Sequence, residues 1–525
     1  MKEEVPIAEK LAKEQREISV SQFFTKNKHL LGFDNPRKAL STTVKELVDN
    51  SLDATEEINI LPEIIVEIKQ LNDTRFIVTV EDNGPGIVKE QIPKIFAKLL
   101  YGSKFFKMAQ ARGQQGLGVS SSVLYGQLTT GKSAVITSKI SRNKPAHYYE
   151  LQIDTKKNEP NVIKDMIIEW DKDHGTKVKI ELEGFYQKGK QSVDEYLKQT
   201  AIVNPHLNLI YINPEKYKME FPRVTKELPK KSKEIKPHPY GVELGVLMQM
   251  LQDTKATTLQ SFLQNDFCRV SAKVAKEICK KAGIYEKSRP KRIAREEVEN
   301  LLKAIKETRI IAPPTDCLSP IGEELTLKGL KKEINADFYT TVTRPPSVYR
   351  GFPFQIETGI AFGGDIPKDE QIKLLRFANK VPLQYQQSAC AITKSVINTA
   401  WRNYGLSQSR GALPIGPVIL LVHIASVCVP FTSESKEAIA HYPEIIKEIK
   451  LALQDIGRKL VVYIRKHIKS KEQKEKIDLF EKYIPELAYS LSKLTNHEKD
   501  EIESKLKKLL KKELPTLEAE NGAKE

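Results

Sequence analysis

No Cys-x-x-Cys pair occurs in the chain, and its five cysteines (Cys268, Cys279, Cys317, Cys390 and Cys428) are scattered. That excludes a disulfide framework and a cysteine-built zinc site, and it predicts a reducing compartment. Long apolar runs are also missing. The most apolar stretch, VILLVHIASVCV (418–429), is too short to span a bilayer and lies between Pro417 and Pro430, so a buried strand is expected there. The N-terminal region lacks an apolar block followed by small residues, and no signal peptide is read. No internal repeat is visible. No Walker A loop is complete either: GKS at 131–133 lacks the upstream glycine of that motif and reads as a loop.

The chain has 525 residues, too many for one core, so several domains are expected. Lys and Arg outnumber Asp and Glu by 84 to 68, a net charge of +16 that favours a polyanionic partner, most simply nucleic acid. Two β-rich runs, IIVEIKQL and RFIVTVE, flank the turn signal Asn72-Asp73. A helical pattern follows through KEQIPKIFAKLL, and further strands are expected at SAVITSKI, HYYELQID and GTKVKIELEG. These place helices on a mixed sheet in the first 220 residues or so. The Pro- and Lys-rich PKKSKEIKPHPYG (229–241) reads as a linker to a mostly helical segment ending near 308, with Gly283 as a C-cap. APPTDCLSP (312–320) marks another boundary. An α/β pattern with strands at PFQIETGIAF and PVILLVHIASVCV continues to about 470, followed by a Lys-, Glu- and Leu-rich helical end.

Three stretches carry candidate chemistry. In KELVDNSLDA (45–54), helical spacing aligns Glu46, Asn50 and Asp53 on one side, with Asp49 slightly off that line. Leu40, Val44, Leu47, Val48 and Leu52 lie opposite. Alone, such a stripe reads as a solvated face. DNGPGI (82–87) combines a sharp turn with two short polar groups, Asp82 and Asn83, and alone reads as a turn after an edge strand. RGQQGLGVSSSVLYGQL (112–128) sets Gly113, Gly116 and Gly118 before a helix, where backbone N–H groups suit a phosphate. Alone it reads as a mobile loop.

In order, E-x-x-x-N, D-x-G-x-G, G-x-x-G-x-G and then Gly175-Thr176 before a strand resemble the GHKL ATPase superfamily. With LLYGSKF, KPHPYGV, FGG and VPFTSESKEAIA, the stretch from about 20 to 470 is similar to the B-subunit family of archaeal type II DNA topoisomerases of class VI. The resemblance implies an α+β multidomain fold: an N-terminal arm (1–25), a GHKL (Bergerat) ATPase α/β sandwich (26–237), a helix–two-turn–helix domain (238–308), an α/β transducer domain of ribosomal-protein-like fold (309–470) and a helical C-terminal extension (471–525).

It also implies ATP and Mg²⁺ as ligands. Asn50 would hold the metal and Glu46 would be the general base. Asp82 would set adenine specificity, and Thr176 would close that side of the pocket. Ser103 and Lys104 would touch the nucleotide. Gly113, Gln114, Gln115, Gly116, Leu117, Gly118, Val119 and Ser120 would form the lid over the phosphates, with Ser120 standing where lysine is common. Lys436 would be the transducer lysine that reaches the γ-phosphate. By position alone Lys436 is a surface lysine at a helix start.

The partners implied are double-stranded DNA, a DNA-cleaving A subunit in an A2B2 heterotetramer, and a second copy of the chain in an ATP-dependent dimer. A cytoplasmic, nucleoid-associated location follows. No acidic D-x-D cluster suggests a cleavage site on this chain, and DKD (171–173) reads as loop. A mismatch-repair-type GHKL ATPase is the alternative, but it does not predict the helical insert. A histidine kinase would need a phospho-acceptor histidine helix pair ahead of the ATP domain, where only His29 stands. A non-enzymatic nucleic-acid-binding scaffold explains the charge but leaves the ordered motifs as coincidence.

Overall fold

The structure, a computed structural model, describes residues 15–105, 107–113, 116–495 and 497–522, together with Ala8, Leu11 and Ala12. Its contacts divide it into two units. The first comprises residues 1–401 and 406–456, the second residues 402–405 and 457–525.

The first unit begins with an eight-stranded sheet. Its strands are β1 (Glu63–Gln70), β2 (Arg75–Asp82), β3 (Ala134–Lys139), β4 (Ala146–Asp154), β5 (Glu159–Ile168), β6 (Gly175–Glu183), β7 (Asn208–Ile212) and β8 (Lys218–Phe221), in the order β5-β4-β3-β6-β2-β1-β7-β8. Only β1 and β7 pair in parallel. The β1–β2 hairpin forms at the expected turn because Asn72 Oδ1 accepts the N–H groups of Thr74 (3.0 Å) and Arg75 (2.8 Å). Alternation along β2 buries Phe76, Val78 and Val80 under the helices. The Pro36–Glu57 helix starts where Pro36 occupies the first turn and Asn35 Oδ1 accepts from Lys38 N at 2.9 Å. Its Leu40, Val44, Leu47, Val48 and Leu52 are all buried, as their spacing predicts.

Four helices follow, Leu244–Asp253, Leu259–Asn265, Ala272–Ala282 and Arg295–Glu307, around a core of their own that includes Leu247, Phe262, Ile278 and Leu301. Gly283 caps the third in the left-handed conformation, φ 69°. The expected linker before them has no regular structure until it ends in a 3-10 turn, Pro239–Gly241, yet its backbone is anchored: Lys233 N donates to Asp316 O (2.9 Å) and Ile235 N to Met108 O (3.1 Å).

A second sheet contains β9 (Phe338–Thr343), β10 (Ser347–Tyr349), β11 (Phe352–Phe362), β12 (Lys373–Ala378), β13 (Val381–Pro382) and β14 (Val418–Ser426). Its order is β10-β11-β14-β12-β13, with β9 also on β11. The apolar run at 418–429 is this sheet's central strand, buried on both faces. The helix Pro443–Thr495 leaves the sheet, passes unbroken through position 470 and continues into the second unit. There, among the described residues, Ile484 and Ala488 are buried, and a further helix, Lys499–Gly522, follows. No described helix is long and apolar enough to cross a membrane.

Strands β5, β7 and β8 were not among the expected runs, and the helix at 89–100 is shorter than expected. The helix at 89–100 is a short 3-10 turn followed by Ile92–Ala97 only. It stops because the Asn158 side chain takes both backbone groups of Leu99, at 3.1 and 3.0 Å. Strand β5 was not expected, because as an edge strand it is mostly exposed and its sequence does not alternate.

The two sheets are joined where the Glu323–Glu333 helix crosses the Val193–Val203 helix, and a Cβ on Gly329 would overlap Ile202 O. Gly329→Ala is therefore expected to cost on the order of 1–3 kcal/mol. The check is the denaturant midpoint of the variant, and an unchanged midpoint would mean the helices can part freely.

Candidate nucleotide site

A cavity of about 700 Å³ opens between the Pro36–Glu57 helix, the turn after β2, the segment before the Gly118–Thr130 helix and a loop at 434–437. Glu46 and Asn50 of the KELVDNSLDA stripe therefore line this cavity and are not part of a solvated face, whereas Asp53 lines a smaller neighbouring cavity. Glu46, Asn50, Asp82, Ser103, Lys104, Gly113, Gly116, Leu117, Gly118, Val119, Ser120, Thr176 and Lys436 all line it. Gln114 and Gln115 lie outside the described residues.

Asp82 ends β2 with a carboxylate that accepts three hydrogen bonds: Ser51 Oγ at 2.7 Å on Oδ2, then Gly84 N at 2.9 Å and Thr176 N at 3.2 Å on Oδ1. A carboxylate has about four lone-pair positions, so one remains for a donor in the cavity. Burial pushes its carboxyl above the ordinary value, although these three bonds pull it down. Gly175 (φ 147°) brings Thr176 into place, and a Cβ there would overlap Asp82 O. Asn83 is structural: its side chain accepts from Glu63 N and donates to Leu61 O.

Asn50 Nδ2 donates to Glu46 O at 2.7 Å, which leaves Oδ1 as its free acceptor, 3.8 Å from where a Cβ on Gly113 would stand. Glu46 Oε1 takes Lys45 Nζ at 2.8 Å. Burial raises the Glu46 carboxyl, but the ammonium groups of Lys45 and Lys436 outweigh it and hold the group below its ordinary value. Gly118 starts its helix against this carboxylate, and a Cβ there would overlap Glu46 Oε2. The first N–H groups of that helix have no acceptors within it, which suits an anion. The Ser120 hydroxyl instead turns back to Leu117 O at 3.2 Å.

Lys436 stands on a loop, not at a helix start. Its φ is 55° and its Nζ donates to Arg112 O at 3.4 Å. Burial lowers its ammonium below the ordinary value, against the pull of Glu46.

The site also contains residues that the sequence motifs do not mark. Asp53 receives Lys104 Nζ and Arg112 Nη1, each at 2.9 Å, so Lys104 is tied down from the cavity's edge. Arg112 forks onto Glu56 as well, at 2.9 and 2.7 Å, and donates to Asn204 Oδ1 at 2.6 Å. Glu56 Oε1 also meets His206 Nε2 at 2.9 Å. Asp49 accepts from Tyr196 Oη at 3.0 Å, and burial pushes its carboxyl up to about 6. No short-range pattern announces these pairs; the fold brings their partners together. Among the described residues no cluster of three or more His, Cys, Asp or Glu could hold a metal by itself.

A mixed sheet with this acid–amide helix, buried aspartate and glycine segment defines an ATPase domain of the GHKL class. Residues 35–183 match the family described as "Histidine kinase-, DNA gyrase B-, and HSP90-like ATPase", and residues 313–476 match "Topoisomerase VI B subunit, transducer". The B subunit of type 2 DNA topoisomerase 6 from Methanococcoides burtonii is 51% identical over 519 residues, spanning 99% of this chain and 83% of that protein. The Archaeoglobus fulgidus protein of the same name is 48% identical, over 93% of this chain and 81% of its own length. That of Saccharolobus shibatae is 38% identical over 97% of both. The chain belongs to the family of type 2 DNA topoisomerase 6 B subunits.

Behind the site lies Lys380, 4% exposed, whose Nζ donates to Ser319 Oγ at 2.9 Å. Burial lowers its ammonium from the ordinary 10.5 to about 8, only partly offset by Glu56. Because the folded-state value is depressed, the unfolded chain binds the extra proton between about pH 8 and 10.5, and stability rises with pH across that window. Relative to Lys380→Met, the wild type should gain on the order of 1–3 kcal/mol between pH 7.5 and 10. Paired denaturant titrations check this, and a difference that does not change with pH would contradict it.

Proposed function

We propose that this chain binds and hydrolyses ATP at the cavity above, as the B subunit of a type II DNA topoisomerase. In this reading it relaxes supercoiled DNA and decatenates by double-strand passage. The observation that carries the reading is the convergence of Glu46, Asn50, Asp82, the Gly118 helix start and Lys436 on one cavity. Family membership supplies the DNA reaction.

In this reading Asp82 uses its remaining acceptor position for the adenine amino group, held rigid by Ser51, Gly84 and Thr176. Ser103 and Lys104 contact the nucleotide at the cavity wall. The segment 113–120 wraps the phosphates with backbone N–H groups. Glu46 accepts the proton of the attacking water, and the Lys45 contact sets where its carboxylate points. Lys436 places a positive charge toward the γ-phosphate, which suits sensing a group that leaves on hydrolysis.

The donor set fits Mg²⁺ of the kind shared with a nucleotide. Asn50 lines the cavity with its Oδ1 left as an acceptor, and among the described residues no clustered carboxylates compete for a protein-only site. Mg²⁺ bound there would neutralise charge on the phosphates.

The proposed assembly is A2B2. Two copies of this chain dimerise through their first domains when ATP binds, and the A subunit cleaves the DNA. The net charge of +16 supports phosphate contacts that are sequence-independent and salt-sensitive. For the surface that holds the A subunit, exposed Leu479 (55%), Phe480 (44%) and Tyr483 (58%) support the helix beyond residue 440. The four-helix insert speaks against the mismatch-repair alternative. The domain limits proposed remain those expected from the chain: 1–25, 26–237, 238–308, 309–470 and 471–525.

Glu46→Ala is expected to bind Mg-ATP with near-normal affinity and to hydrolyse it at least about a hundredfold more slowly. Coupled ATPase assays with a nucleotide-binding titration check this; unchanged turnover would remove Glu46 from the base role. Wild-type chain combined with an A subunit should relax supercoiled plasmid only with Mg-ATP. Relaxation that ignores ATP, or absence of ATP binding, would overturn the reading.

A further inference from the structure

Lys436 sits in the left-handed region at φ 55°, on a loop whose two ends and tip are held by different parts of the chain. The ends belong to the second sheet's body: Thr432 N donates to Ala438 O at 2.9 Å, Phe431 bridges Ile439, and Ala391 N donates to Ile439 O at 2.9 Å. Ala438 and Ile439 are fully buried there. The tip is pinned elsewhere. Glu437, 6% exposed, meets Lys38 Nζ at 2.5 Å, and Lys38 is itself only 8% exposed. Lys38 lies two turns before Glu46 on the same helix. Asp34 (2.9 Å) supports its ammonium from below, and the Tyr385 ring from the side, 5.5 Å to its centroid. This is a buried ion pair between the helix that carries the base and metal ligand and the residue next to the phosphate-sensing lysine.

A buried charge whose partner is removed is strongly unfavourable, so such a pair fixes geometry more firmly than a surface contact does. The Lys436 side chain is anchored far more loosely, through one 3.4 Å contact to Arg112 O. The base of the lysine is thus locked to the catalytic helix while its tip is free to exchange partners. A left-handed backbone at a non-glycine residue persists only where its surroundings hold it.

We propose that the Lys38–Glu437 pair is a latch that positions Lys436: it fixes the loop tip to the Pro36–Glu57 helix so that the lysine meets the nucleotide phosphates at the right height. The latch rests on the reading that Lys436 contacts the γ-phosphate. Lys38 lies outside the cavity lining and Glu437 at its edge beside Lys436; in the proposal both act through Lys436, as positioning residues. A purely stabilising ion pair would lower thermal stability and leave turnover of the folded protein alone. A latch changes turnover and dimerisation with little change in KM, because the adenine contacts at Asp82 lie elsewhere in the cavity.

The test measures ATP turnover, KM for ATP, thermal stability and dimerisation with a non-hydrolysable ATP analogue, on the full-length chain. The variants are Glu437→Gln, Lys38→Met, Lys38→Arg, Lys436→Ala and the double variant Lys436→Ala/Glu437→Gln. Glu437→Gln and Lys38→Met should each lower kcat about tenfold at near-constant KM and weaken analogue-driven dimerisation, while Lys38→Arg stays close to wild type. In the Lys436→Ala background, Glu437→Gln should add no further loss, because the residue it positions is gone. Full additivity of the two losses, or normal turnover in Glu437→Gln beside a defective Lys436→Ala, overturns the latch alone. Normal turnover and dimerisation in Lys436→Ala overturns the underlying phosphate contact instead. If Glu437→Gln does not fold, the Lys38→Met and Lys38→Arg pair decides by the same readouts.

Discussion

Glu46, Asp49, Asp53 and Glu56 lie on successive turns of one largely buried helix, and their mutual repulsion is the constraint around which the rest of the first unit is arranged. Each acid is answered by a group from another part of the chain, or by its immediate neighbour Lys45. Lys45 and Lys436 face Glu46, Tyr196 donates to Asp49, and Lys104 with Arg112 holds Asp53. Arg112 and His206 meet Glu56, with Lys380 close by. Buried carboxylates without such partners would take up protons or force the helix apart. The compensation separates the acids by role. Glu46 stays ionised at the cavity, Asp53 and Glu56 are consumed by Arg112, and Asp49 is driven toward the neutral range.

Because those cations come from the segment before the lid and from the second sheet, the nucleotide cavity is not the property of the first sheet alone. Arg112 holds Asp53 and Glu56 with its guanidinium, and its carbonyl receives Lys436. Gln110 exchanges hydrogen bonds with Ser319, at 3.0 and 2.7 Å, and Asn379 Nδ2 donates to Ala111 O at 3.1 Å. The segment that precedes Gly113 is therefore hydrogen-bonded directly to the body of the second sheet. Coupling of this kind needs an element with two arrangements; in the proposed mechanism the Lys436 tip would supply it by exchanging Arg112 O for a phosphate.

Much of the site was legible in the chain, for physical reasons that differ by residue. The buried leucines follow from helical spacing, which is local; the same spacing aligned Glu46 and Asn50 but alone read as a solvated face, and only the ordered motifs made them site residues. Asp82 and Thr176 were named through ordered motifs, and the structure adds why the motif needs Gly175: the Asp82 carbonyl occupies the space of a side chain. Gly118 has the same logic against Glu46. What stayed hidden was long-range. Arg112, His206, Lys380 and Glu437 are ordinary charged residues whose partners lie far away in sequence, so neither composition nor periodicity marks them. Edge strand β5 was missed because exposure on both faces erases the alternation that reveals a strand. The early end of the Ile92–Ala97 helix was missed because the Asn158 side chain that stops it lies on a distant hairpin.

In the proposed mechanism a single cavity serves both sheets, with Glu46, Asn50 and Lys436 directed at one nucleotide. The most direct measurement is an experimental structure of the chain with Mg²⁺ and a non-hydrolysable ATP analogue. The expected result is adenine against Asp82, the metal on Asn50 Oδ1, and Lys436 Nζ moved from Arg112 O to the γ-phosphate. An analogue bound outside this cavity, or Lys436 still on Arg112 with the phosphates in place, would contradict it.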